Sequence, residues 1–517
     1  MESPVADFYF GKCIFVTGGT GLMGKVLLEK LLYSCPGLDK IYVLLRSKRG
    51  KGADSRLEDI IKLPLFGRIR RECPHQLNKL VAISGDVAVE NLGLSQQDEA
   101  RLINETNIVV HGAASLKLDA KLKDAINMNT EGTLRVLELS KKMKNLDVVL
   151  HLSTAFCHGD IDVMEEKVYK PPHDPKDIIR LTHWLDDATL EKIAPDLLQP
   201  HPNTYTYSKR IAEALVDSYS SELPVCIIRP SIVTPAWRDP LEGWVDNLNG
   251  PVGIMVGGGK GVIRSMHCNG EYNAEVIPVD MAISGIIAIA RDVALHKDKF
   301  QSTPVYNLTQ SGTHPITWGE VLERGKICAW KNPFEWMLWY PNGNIYKSKA
   351  VHKMNVIFFH WLPAYFIDFL LFIFAQKTFM LKVQKKIQDG LEVLQYFTTR
   401  QWQFSNDNIL RMRESLSQND KEVFNLDFER VEVDPYLTSC ILGARQYLLK
   451  EDLKSLPRCR RNLAVLWFLD KLVSVLFYAF LIWMVINFSE ATKSILDTVV
   501  DQFSSLPFLR TISHKSA

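Results

Sequence analysis

The stretch Val16-Thr17-Gly18-Gly19-Thr20-Gly21-Leu22-Met23-Gly24 decides the fold of this 517-residue chain. It follows an apolar run over residues 13–16, which predicts a short buried strand. It leads into residues 22–33, whose apolar positions recur at helical spacing. The three spaced glycines allow, in order, a tight turn, close approach of a pyrophosphate, and packing of the helix on the strand. Because a helix N-terminus offers unpaired N–H groups to phosphates, the stretch predicts dinucleotide binding. The alternative is a glycine-rich turn without a ligand.

Composition indicates a chain with more than one domain. It is 46% hydrophobic with a formal net charge of +2, which gives ample material for cores and no argument for nucleic acid. The nine cysteines include no Cys-x-x-Cys pair, and no Cys/His cluster has zinc-ligand spacing. The sequence therefore predicts reduced thiols, no metal site and a cytosol-facing protein. Residues 1–11 are too short and too acidic for a signal peptide.

The predicted second strand, residues 41–45, ends at Arg46, and no acidic residue follows in Ser47-Lys48-Arg49. In dinucleotide folds this strand end meets the adenosine ribose, where an acid selects NAD and an arginine accommodates the 2′-phosphate of NADP. The sequence therefore predicts NADPH as cofactor, against the alternative of an ordinary basic loop. Further cofactor contacts are predicted at Thr17, Gly18, Thr20, Gly21, Leu22, Gly24, Asp86 and Ala113.

Alternating strands and helices predict a doubly wound parallel sheet of the α/β class, with ligands at the carboxyl ends of its strands. The remaining strands are predicted over residues 80–84, 108–111, 148–152 and 225–228. Asp86 follows the third strand, where its carboxylate can accept a hydrogen bond from an adenine amine. Small residues such as Ala113 follow the fourth and let the dinucleotide lie across the strand ends. His111 is predicted to be a packed core histidine.

Tyr205 and Lys209 form the only Tyr-x-x-x-Lys spacing in the chain. Residues four apart share one face of a helix. An ammonium beside a phenol lowers the pKa of the tyrosine, which makes it a usable general acid near neutral pH. Ser153 and Thr154 end the fifth strand and can bond the same substrate oxygen, but strand alternation lets only one of them serve. Tyr207 is predicted to lie on another face, and an ordinary helix-face aromatic is the alternative for Tyr205.

Composition also suggests the domain boundaries. A catalytic domain is predicted over residues 1–290, a substrate-side extension over 291–355 and a small helical domain over 376–455. Glycine and asparagine are frequent over residues 241–279, which predicts loops that cover the active-site side. Within them, the glycine run at 257–261 is predicted to be a flexible loop rather than a second phosphate cradle.

An apolar stretch over residues 356–375 is long enough to cross a membrane, but it contains His360 and Asp368. A carboxylate at membrane depth is costly, so this stretch predicts a membrane-embedded or interfacial helix.

A second apolar stretch, residues 472–488, carries no charge and forms the core of a transmembrane anchor predicted over 463–488. Arg458, Arg460 and Arg461 precede it, so the positive-inside rule places the bulk of the chain in the cytosol. A buried soluble helix is the alternative. The tail, residues 489–517, does not end in the peroxisomal Ser-Lys-Leu signal.

These motifs resemble the pattern of extended short-chain dehydrogenases/reductases. More closely, the chain resembles the alcohol-forming fatty acyl-CoA reductases, with phrasing nearest to arthropod members. The resemblance covers nearly the whole chain, including the "male sterility" C-terminal region. Matching phrases are His151-Leu-Ser-Thr-Ala155, Pro202-Asn-Thr-Tyr-Thr-Tyr-Ser-Lys209, Arg229-Pro-Ser-Ile-Val233, Gly243-Trp-Val-Asp-Asn247 and Tyr447-Leu-Leu-Lys-Glu451. Phe156 and Gly112 depart from the residues common in the family, and the first bears on the shape of the substrate pocket.

The resemblance implies a four-electron reduction of a long-chain acyl-CoA to a primary fatty alcohol, through an enzyme-bound aldehyde and with release of CoA. It implies that Tyr205 and Thr154 stabilise the oxyanion, that Tyr205 donates the proton and that Lys209 holds the nicotinamide ribose. Thr154 is preferred to Ser153 because the second residue of the pair is the usual family position. The resemblance adds Asn129, Pro230 and Ser231 to the cofactor contacts.

Two alternatives stay open: an NADP-dependent sterol- or sugar-type dehydrogenase of the same superfamily, and a catalytically silent membrane protein that binds lipid. The membrane tail argues against soluble sugar substrates, and the intact Tyr205–Lys209 pair argues against a silent member. Membrane lipid and acyl-CoA are the expected partners. The expected location is the membrane of the endoplasmic reticulum or the peroxisome. A homodimer and the acyl chain length are left open.

Overall fold

A computed structural model describes residues 3–48, 50–313 and 315–488, together with Thr498. Apart from Thr498, the predicted tail over residues 489–517 lies outside the described residues. In chain order, the strands are β1 Cys13–Thr17, β2 Lys40–Leu45, β3 Leu80–Ser84, β4 Thr106–His111, β5 Val148–Leu152, β6 Val163–Met164, β7 Val225–Pro230, β8 Ile232–Thr234, β9 Ser265–His267, β10 Val276–Pro278, β11 Val305–Leu308, β12 Asn344–Tyr346 and β13 Gln403–Phe404.

Helices connect and cover these strands. In chain order they are α1 Pro4–Phe8, α2 Leu22–Ser34, α3 Ala53–Ile61, α4 Gly67–Glu72, α5 Gln96–Glu105, α6 Leu122–Ala125, α7 Gly132–Lys141, α8 Pro175–Trp184, α9 Asp187–Leu197, α10 Thr204–Asp217, α11 Pro251–Gly259, α12 Val279–His296, α13 Trp318–Lys331, α14 Lys349–Val356, α15 Leu362–Ile373, α16 Met380–Thr398, α17 Asp407–Ser415, α18 Gln418–Val423, α19 Val433–Gly443 and α20 Leu456–Phe488. Two π-helical segments, Ile126–Glu131 and Ile357–Trp361, lead into α7 and α15.

The central sheet has seven parallel strands in the order β11-β7-β5-β4-β1-β2-β3. The predicted doubly wound parallel sheet is confirmed, and the six predicted strands are all present. The order reverses between β1 and β4, which creates the crevice where ligands bind in such folds. The glycine turn after β1 and the small residues after β4 both open onto this crevice.

The seventh strand, β11, lies in the segment that the sequence assigned to a substrate-side extension. The boundary expected at residue 290 falls within α12 and would separate β11 from the rest of the sheet. β11 has only four residues, and the polar Asn307 interrupts the apolar run by which a buried strand is predicted. The Asn307 side chain is buried because its amide donates to the carbonyl oxygens of Met164 and Ser405 at 3.1 and 2.8 Å. The amide nitrogen is therefore paired, whereas the amide oxygen has no partner among the described residues.

The predicted flexible loop at residues 257–261 is wrong for its first three residues, which close helix α11. Its glycines serve close packing instead of mobility. A Cβ on Gly257 would lie 2.6 Å from the Ile263 side chain, and one on Gly259 would lie 2.6 Å from Phe334. The region nevertheless covers the active-site side, as predicted, since α11 and β9 both line the cavity described below.

The small helical domain packs directly on the catalytic domain. β13 pairs in parallel with β6, in the register Gln403 to Val163. The Glu166 carboxylate accepts hydrogen bonds from the backbone N–H groups of Asn307 and Asn408, at 2.9 and 2.6 Å. Residues 403–408 are therefore fixed to the edge of the central sheet.

Two helices, Lys349–Ile373 and Leu453–Val485, are long and apolar enough to cross a membrane, by length and composition. The first forms an antiparallel hairpin with α16. Asp368 accepts hydrogen bonds from the N–H groups of Phe379, Met380 and Leu381 at 2.9–3.1 Å, which caps the start of α16. The chain then returns along α16 toward the catalytic domain.

Both polar residues that interrupt the first apolar helix face protein. The His360 ring accepts hydrogen bonds from the backbone N–H groups of Arg264 and Ser265, at 2.9 and 3.1 Å. Asp368 is 7% exposed, whereas Phe366, Phe369 and Phe372 on the same helix are more than half exposed. The hairpin therefore keeps its polar groups inside and presents an apolar outer face.

Candidate active site

One continuous cavity of about 1030 Å³ runs from the glycine turn into the space between the two domains. Its volume lies at or above the upper end of the usual range for ligand pockets, roughly 300–1,000 Å³. The cavity brings together every predicted site residue except Asn129. Those residues are Thr17, Gly18, Thr20, Gly21, Leu22, Gly24, Arg46, Asp86, Ala113, Ser153, Thr154, Tyr205, Lys209, Pro230 and Ser231.

The glycine turn has the geometry that the spacing predicts. Gly18 has a φ of +80°, and a Cβ there would lie 2.6 Å from the backbone of Gly112. The Gly21 N–H donates to the Gly18 carbonyl oxygen at 3.0 Å, and Gly21 then begins α2 without a side-chain cap. A Cβ on Gly21 would meet only the Gly18 carbonyl oxygen, so its other side is open to the cavity. This arrangement leaves the helix N-terminus accessible to a phosphate.

Two arginines stand at the adenosine end of the cavity. Arg46 is half exposed, and its guanidinium lies 3.7 Å from the Asp86 carboxylate. The Arg56 guanidinium donates to the Arg46 carbonyl oxygen at 2.6 Å and lines the same cavity. Burial and the nearby Arg46 charge lower the pKa of Arg56. Arg56 has no local sequence signal for this role, because only the fold brings α3 back to the end of β2.

Helix α10 presents Tyr205 and Lys209 to the cavity one turn apart. The Asn203 side chain accepts from the Thr206 N–H at 2.9 Å and so starts the helix just before Tyr205. The Lys209 ammonium donates to the Leu152 carbonyl oxygen at 2.7 Å, which ties α10 to the end of β5. Burial lowers the pKa of Lys209 to about 8.

The predicted lowering of the pKa of Tyr205 is wrong for this structure. Burial raises the pKa of the phenol, and the nearby Thr154 hydroxyl offsets the rise only in part. Removing a phenolate from water costs more than a neighbouring hydroxyl returns. The consequence suits an acid: the phenol stays protonated at neutral pH.

Ser153 and Thr154 differ in what their hydroxyls contact. The Ser153 hydroxyl donates to the buried Cys157 sulfur at 3.7 Å. The Thr154 oxygen accepts from the Phe156 N–H at 3.3 Å, and the Thr154 hydroxyl lowers the pKa of Tyr205. This influence on Tyr205 agrees with the preference for Thr154 over Ser153, which stays a prediction.

Tyr207 lies on a different face of α10, as predicted. Its ring is fully buried, and its hydroxyl lies 3.0 Å from the His173 Nδ1 atom. It does not line the cavity. It packs in a separate apolar cluster with Ile211 and Ile178, between α10 and α8.

Asn129 and His111 lie behind the cavity surface, and Thr17, which lines the cavity, contacts His111. Asn129 is 1% exposed; its side chain bonds both backbone polar groups of Ser115 and the Ser208 hydroxyl, so it fixes the loop after β4 to α10. The Thr17 hydroxyl lies 2.7 Å from His111 Nδ1 and accepts from the Ala113 N–H. His111 is the packed histidine that the sequence predicts, with its pKa lowered to about 3, mainly by burial.

Cys157, His158 and Glu213 bring possible metal-ligand atoms within 4.8 Å of one another. The Glu213 carboxylate, however, already accepts hydrogen bonds from the Arg229 guanidinium at 2.9 and 2.6 Å. A buried guanidinium in that position neutralises the carboxylate and disfavours a second cation. This cluster therefore holds the segment after β5 against α10 and β7, and it sits one turn beyond Lys209.

Beyond Tyr205 the cavity becomes apolar, and its wall comes from both domains. β9, α13 and β12 contribute lining residues, and so do α16 and α19 of the helical domain. The side chains that mark this apolar chamber are Met266, Trp318, Ile345, Leu394, Phe397 and Ile441. A long, flexible hydrocarbon chain is the ligand that such a lining suits.

Comparisons with known proteins agree with this site. The models of two families described as "Male sterility protein" match residues 16–286 and 359–451. The chain is 37% identical over 460 residues to fatty acyl-CoA reductase 1 of Xenopus laevis, with 89% of each chain covered. It is 34% identical over 482 residues to fatty acyl-CoA reductase wat of Drosophila melanogaster, with 93% of each covered.

Solved structures share the fold. The terminal R domain of the myxalamid PKS-NRPS pathway aligns with a TM-score of 0.54 at 18% identity, over 86% of this chain and 93% of that domain. The reductase (R) domain of a nonribosomal peptide synthetase from Mycobacterium tuberculosis gives 0.55 at 15% identity, over 88% and 96%. The glycine turn, the Tyr205–Lys209 helix and the sequence match over most of the chain lead to one conclusion: this protein is an oxidoreductase of the fatty acyl-CoA reductase family.

Proposed function

We propose that this protein reduces long-chain fatty acyl-CoA to the primary alcohol with two equivalents of NADPH, through an enzyme-bound aldehyde and with release of CoA. The observation that carries the proposal is the single cavity that joins the glycine turn, Tyr205 with Lys209, and an apolar chamber. A cofactor, a proton donor and an acyl chain can therefore meet at one point.

The residues at the turn suit NADPH. The open side of Gly21 accommodates a pyrophosphate, and the Ser231 hydroxyl lies in the cavity wall with no partner among the described residues. The Arg56 guanidinium is bound to the Arg46 backbone and feels the Arg46 charge, which lowers its pKa, so an anion near both side chains would relieve their mutual repulsion. A 2′-phosphate is such an anion, so these two residues support NADPH rather than NADH.

Bound NADPH supplies hydride to the thioester carbon. The Tyr205 phenol and the Thr154 hydroxyl donate hydrogen bonds to the carbonyl oxygen as negative charge develops on it. When the tetrahedral adduct collapses, the C–S bond breaks, CoA leaves as its thiol after taking up a proton, and the aldehyde remains. In the second reduction the aldehyde carbon receives hydride and its oxygen takes the Tyr205 proton, which gives the alcohol.

Two rounds of reduction require that the cofactor be exchanged while the aldehyde stays bound. The cavity allows this because its glycine-turn end and its apolar chamber are different regions of one space. The acyl chain can remain among Trp318, Leu394 and Phe397 while the dinucleotide leaves at the other end. Apolar contact along the acyl chain also lowers the rate at which an insoluble aldehyde is released.

The direct test is an assay of NADPH consumption by the purified protein with a long-chain acyl-CoA, followed by extraction and identification of the product. The proposal expects two NADPH consumed for each fatty alcohol formed. A sterol-type dehydrogenase would leave acyl-CoA unchanged and act on an alcohol substrate, and a silent lipid-binding protein would consume no NADPH. Aldehyde as the sole product would contradict the second reduction.

The lowered pKa of Lys209 makes a pH prediction. We expect kcat/KM to fall as pH rises through about 8, because Lys209 loses the ammonium charge that holds the ribose. Tyr205 stays protonated over this range, since burial raises its pKa. A Lys209→Arg variant keeps its cation, so its activity, although lower, should not fall until higher pH. An unchanged midpoint in that variant would contradict the assignment.

We further propose a membrane protein with its catalytic domain in the cytosol and one crossing, by the C-terminal helix. The return of α16 and the pairing of β13 with β6 support this, because they keep residues 376–455 beside the catalytic domain. Truncation after Lys454 should reduce membrane retention and leave NADPH binding in place.

Protease accessibility in intact microsomes or organelles tests this orientation. Tags at the N-terminus and at about residue 415, between α17 and α18, should both be digested. A protected tag at 415 with a digested N-terminal tag would overturn the single crossing. The same fractions report whether the protein resides in the endoplasmic reticulum or the peroxisome.

A further inference from the structure

The C-terminal apolar helix α20 carries one buried carboxylate on an otherwise exposed surface. Asp470 is 2% exposed, while Trp467, Phe468 and Leu472 around it are each between 39% and 60% exposed. Asp470 accepts hydrogen bonds from three side chains: Trp339 Nε1 at 2.7 Å, Arg264 Nη2 at 3.1 Å and Asn342 Nδ2 at 3.1 Å. Such a fully paired carboxylate holds its three donors in one arrangement.

Arg264 connects this carboxylate to the first apolar helix as well. Its guanidinium lies 5.7 Å from the Trp339 ring and 5.0 Å from the Phe359 ring, within reach of cation–π attraction. Its backbone N–H donates to His360 at 2.9 Å. Phe477 of α20 also contacts the rings of Phe358 and Phe359. Both candidate membrane helices therefore meet at Arg264.

The donors of Asp470 belong to the wall of the apolar chamber or adjoin it. Arg264 lines the cavity itself, between Ile263 and Ser265, which line it too. Asn342 stands between Pro341 and Gly343, which are also lining residues. The structure thus fixes two wall segments, residues 263–266 and 341–345, to a helix that lies outside the chamber.

We propose that Asp470 is a positioning residue for the acyl chain: through Arg264, Trp339 and Asn342, the anchor helix sets the shape of the chamber. This inference rests on the proposed acyl-CoA reduction. It gives α20 a part in substrate binding that is separate from membrane retention. The two wall segments lie outside the seven-stranded sheet that carries the cofactor site, so the effect should appear in acyl binding and not in NADPH binding.

The test uses the full chain purified in detergent micelles, where attachment to a membrane no longer matters. Asp470→Ala and the milder Asp470→Asn are compared with Val473→Ala, a change at an exposed side chain of the same helix. We expect Asp470→Ala to raise KM for hexadecanoyl-CoA by about 10-fold or more, the size of one lost charge-assisted hydrogen bond. KM for octanoyl-CoA, kcat and NADPH affinity should change little, and Asp470→Asn should show a smaller effect in the same direction.

The outcomes separate this inference from the proposed function. Absence of acyl-CoA reduction by the unaltered protein would refute the proposed function. Activity on hexadecanoyl-CoA that is the same in Asp470→Ala, Asp470→Asn and the unaltered protein would refute the positioning role alone. Equal losses with both chain lengths, or a parallel loss of NADPH binding, would mean that Asp470 only supports the fold, and would also refute it.

Discussion

Replacing Tyr205 with phenylalanine is expected to lower kcat for the reduction of acyl-CoA by roughly 10²–10⁴-fold, the usual contribution of a positioned general acid. The change keeps the ring and its packing on α10 but removes the hydroxyl and its proton. NADPH binding should persist, because the glycine turn and the arginine pair are untouched. The measurement is single-turnover NADPH oxidation, with binding checked by fluorescence titration.

The matched control lies two residues away. Tyr207→Phe removes a hydroxyl from the same helix, but that hydroxyl points toward His173 and away from the cavity. We expect its kcat to stay close to that of the unaltered protein. A fully active Tyr205→Phe enzyme, or a larger loss in the control, would reject Tyr205 as the acid.

Replacing Arg46 with aspartate should reduce the preference for NADPH over NADH, measured as the ratio of their kcat/KM values, by about 10–100-fold. The substitution removes one cation from the adenosine end and places a second carboxylate next to Asp86, which lies 3.7 Å from the native guanidinium. The 2′-phosphate of NADPH would then face repulsion, whereas the ribose hydroxyl of NADH could be accepted as in NAD enzymes.

Two further variants sharpen this result. Arg56→Ala should also lower the ratio, but less, because Arg46 remains. Arg71→Asp makes the same charge change at an exposed position on α4 that does not line the cavity, and it should leave the ratio unchanged. If Arg46→Asp leaves the ratio as it was, Arg46 does not read the 2′-phosphate.

Local patterns were sufficient to predict the glycine turn, six strands and the helix with Tyr205 and Lys209. Each depends on neighbouring residues: an apolar run, a fixed glycine spacing, or a four-residue step along a helix. Helix α11 is an element that local patterns did not predict. Its glycines resemble those of a loop, and only the positions of Ile263 and Phe334 in the fold show that any side chain there would collide with them.

Residues whose roles depend on distant partners could not be predicted in the same way. Arg56 reaches Arg46 because α3 folds back over the end of β2. The sequence predicts that Asn129 contacts the cofactor, yet its side chain forms hydrogen bonds with Ser115 and Ser208 behind the cavity surface. Arg264 and Asp470 are 206 positions apart, and no local sequence pattern around either residue predicts their contact.

The shared wall of the apolar chamber has a consequence for how this family changes its substrates. Leu394 and Ile441 from the helical domain line the same cavity as Met266 and Trp318 from the catalytic side. A chimera that takes one domain from a relative would receive only part of the relative's acyl-binding wall. It should lose chain-length selectivity without acquiring that of the donor. Selection for a new chain length must therefore change facing residues together, and substitutions at such pairs should be correlated across the two regions.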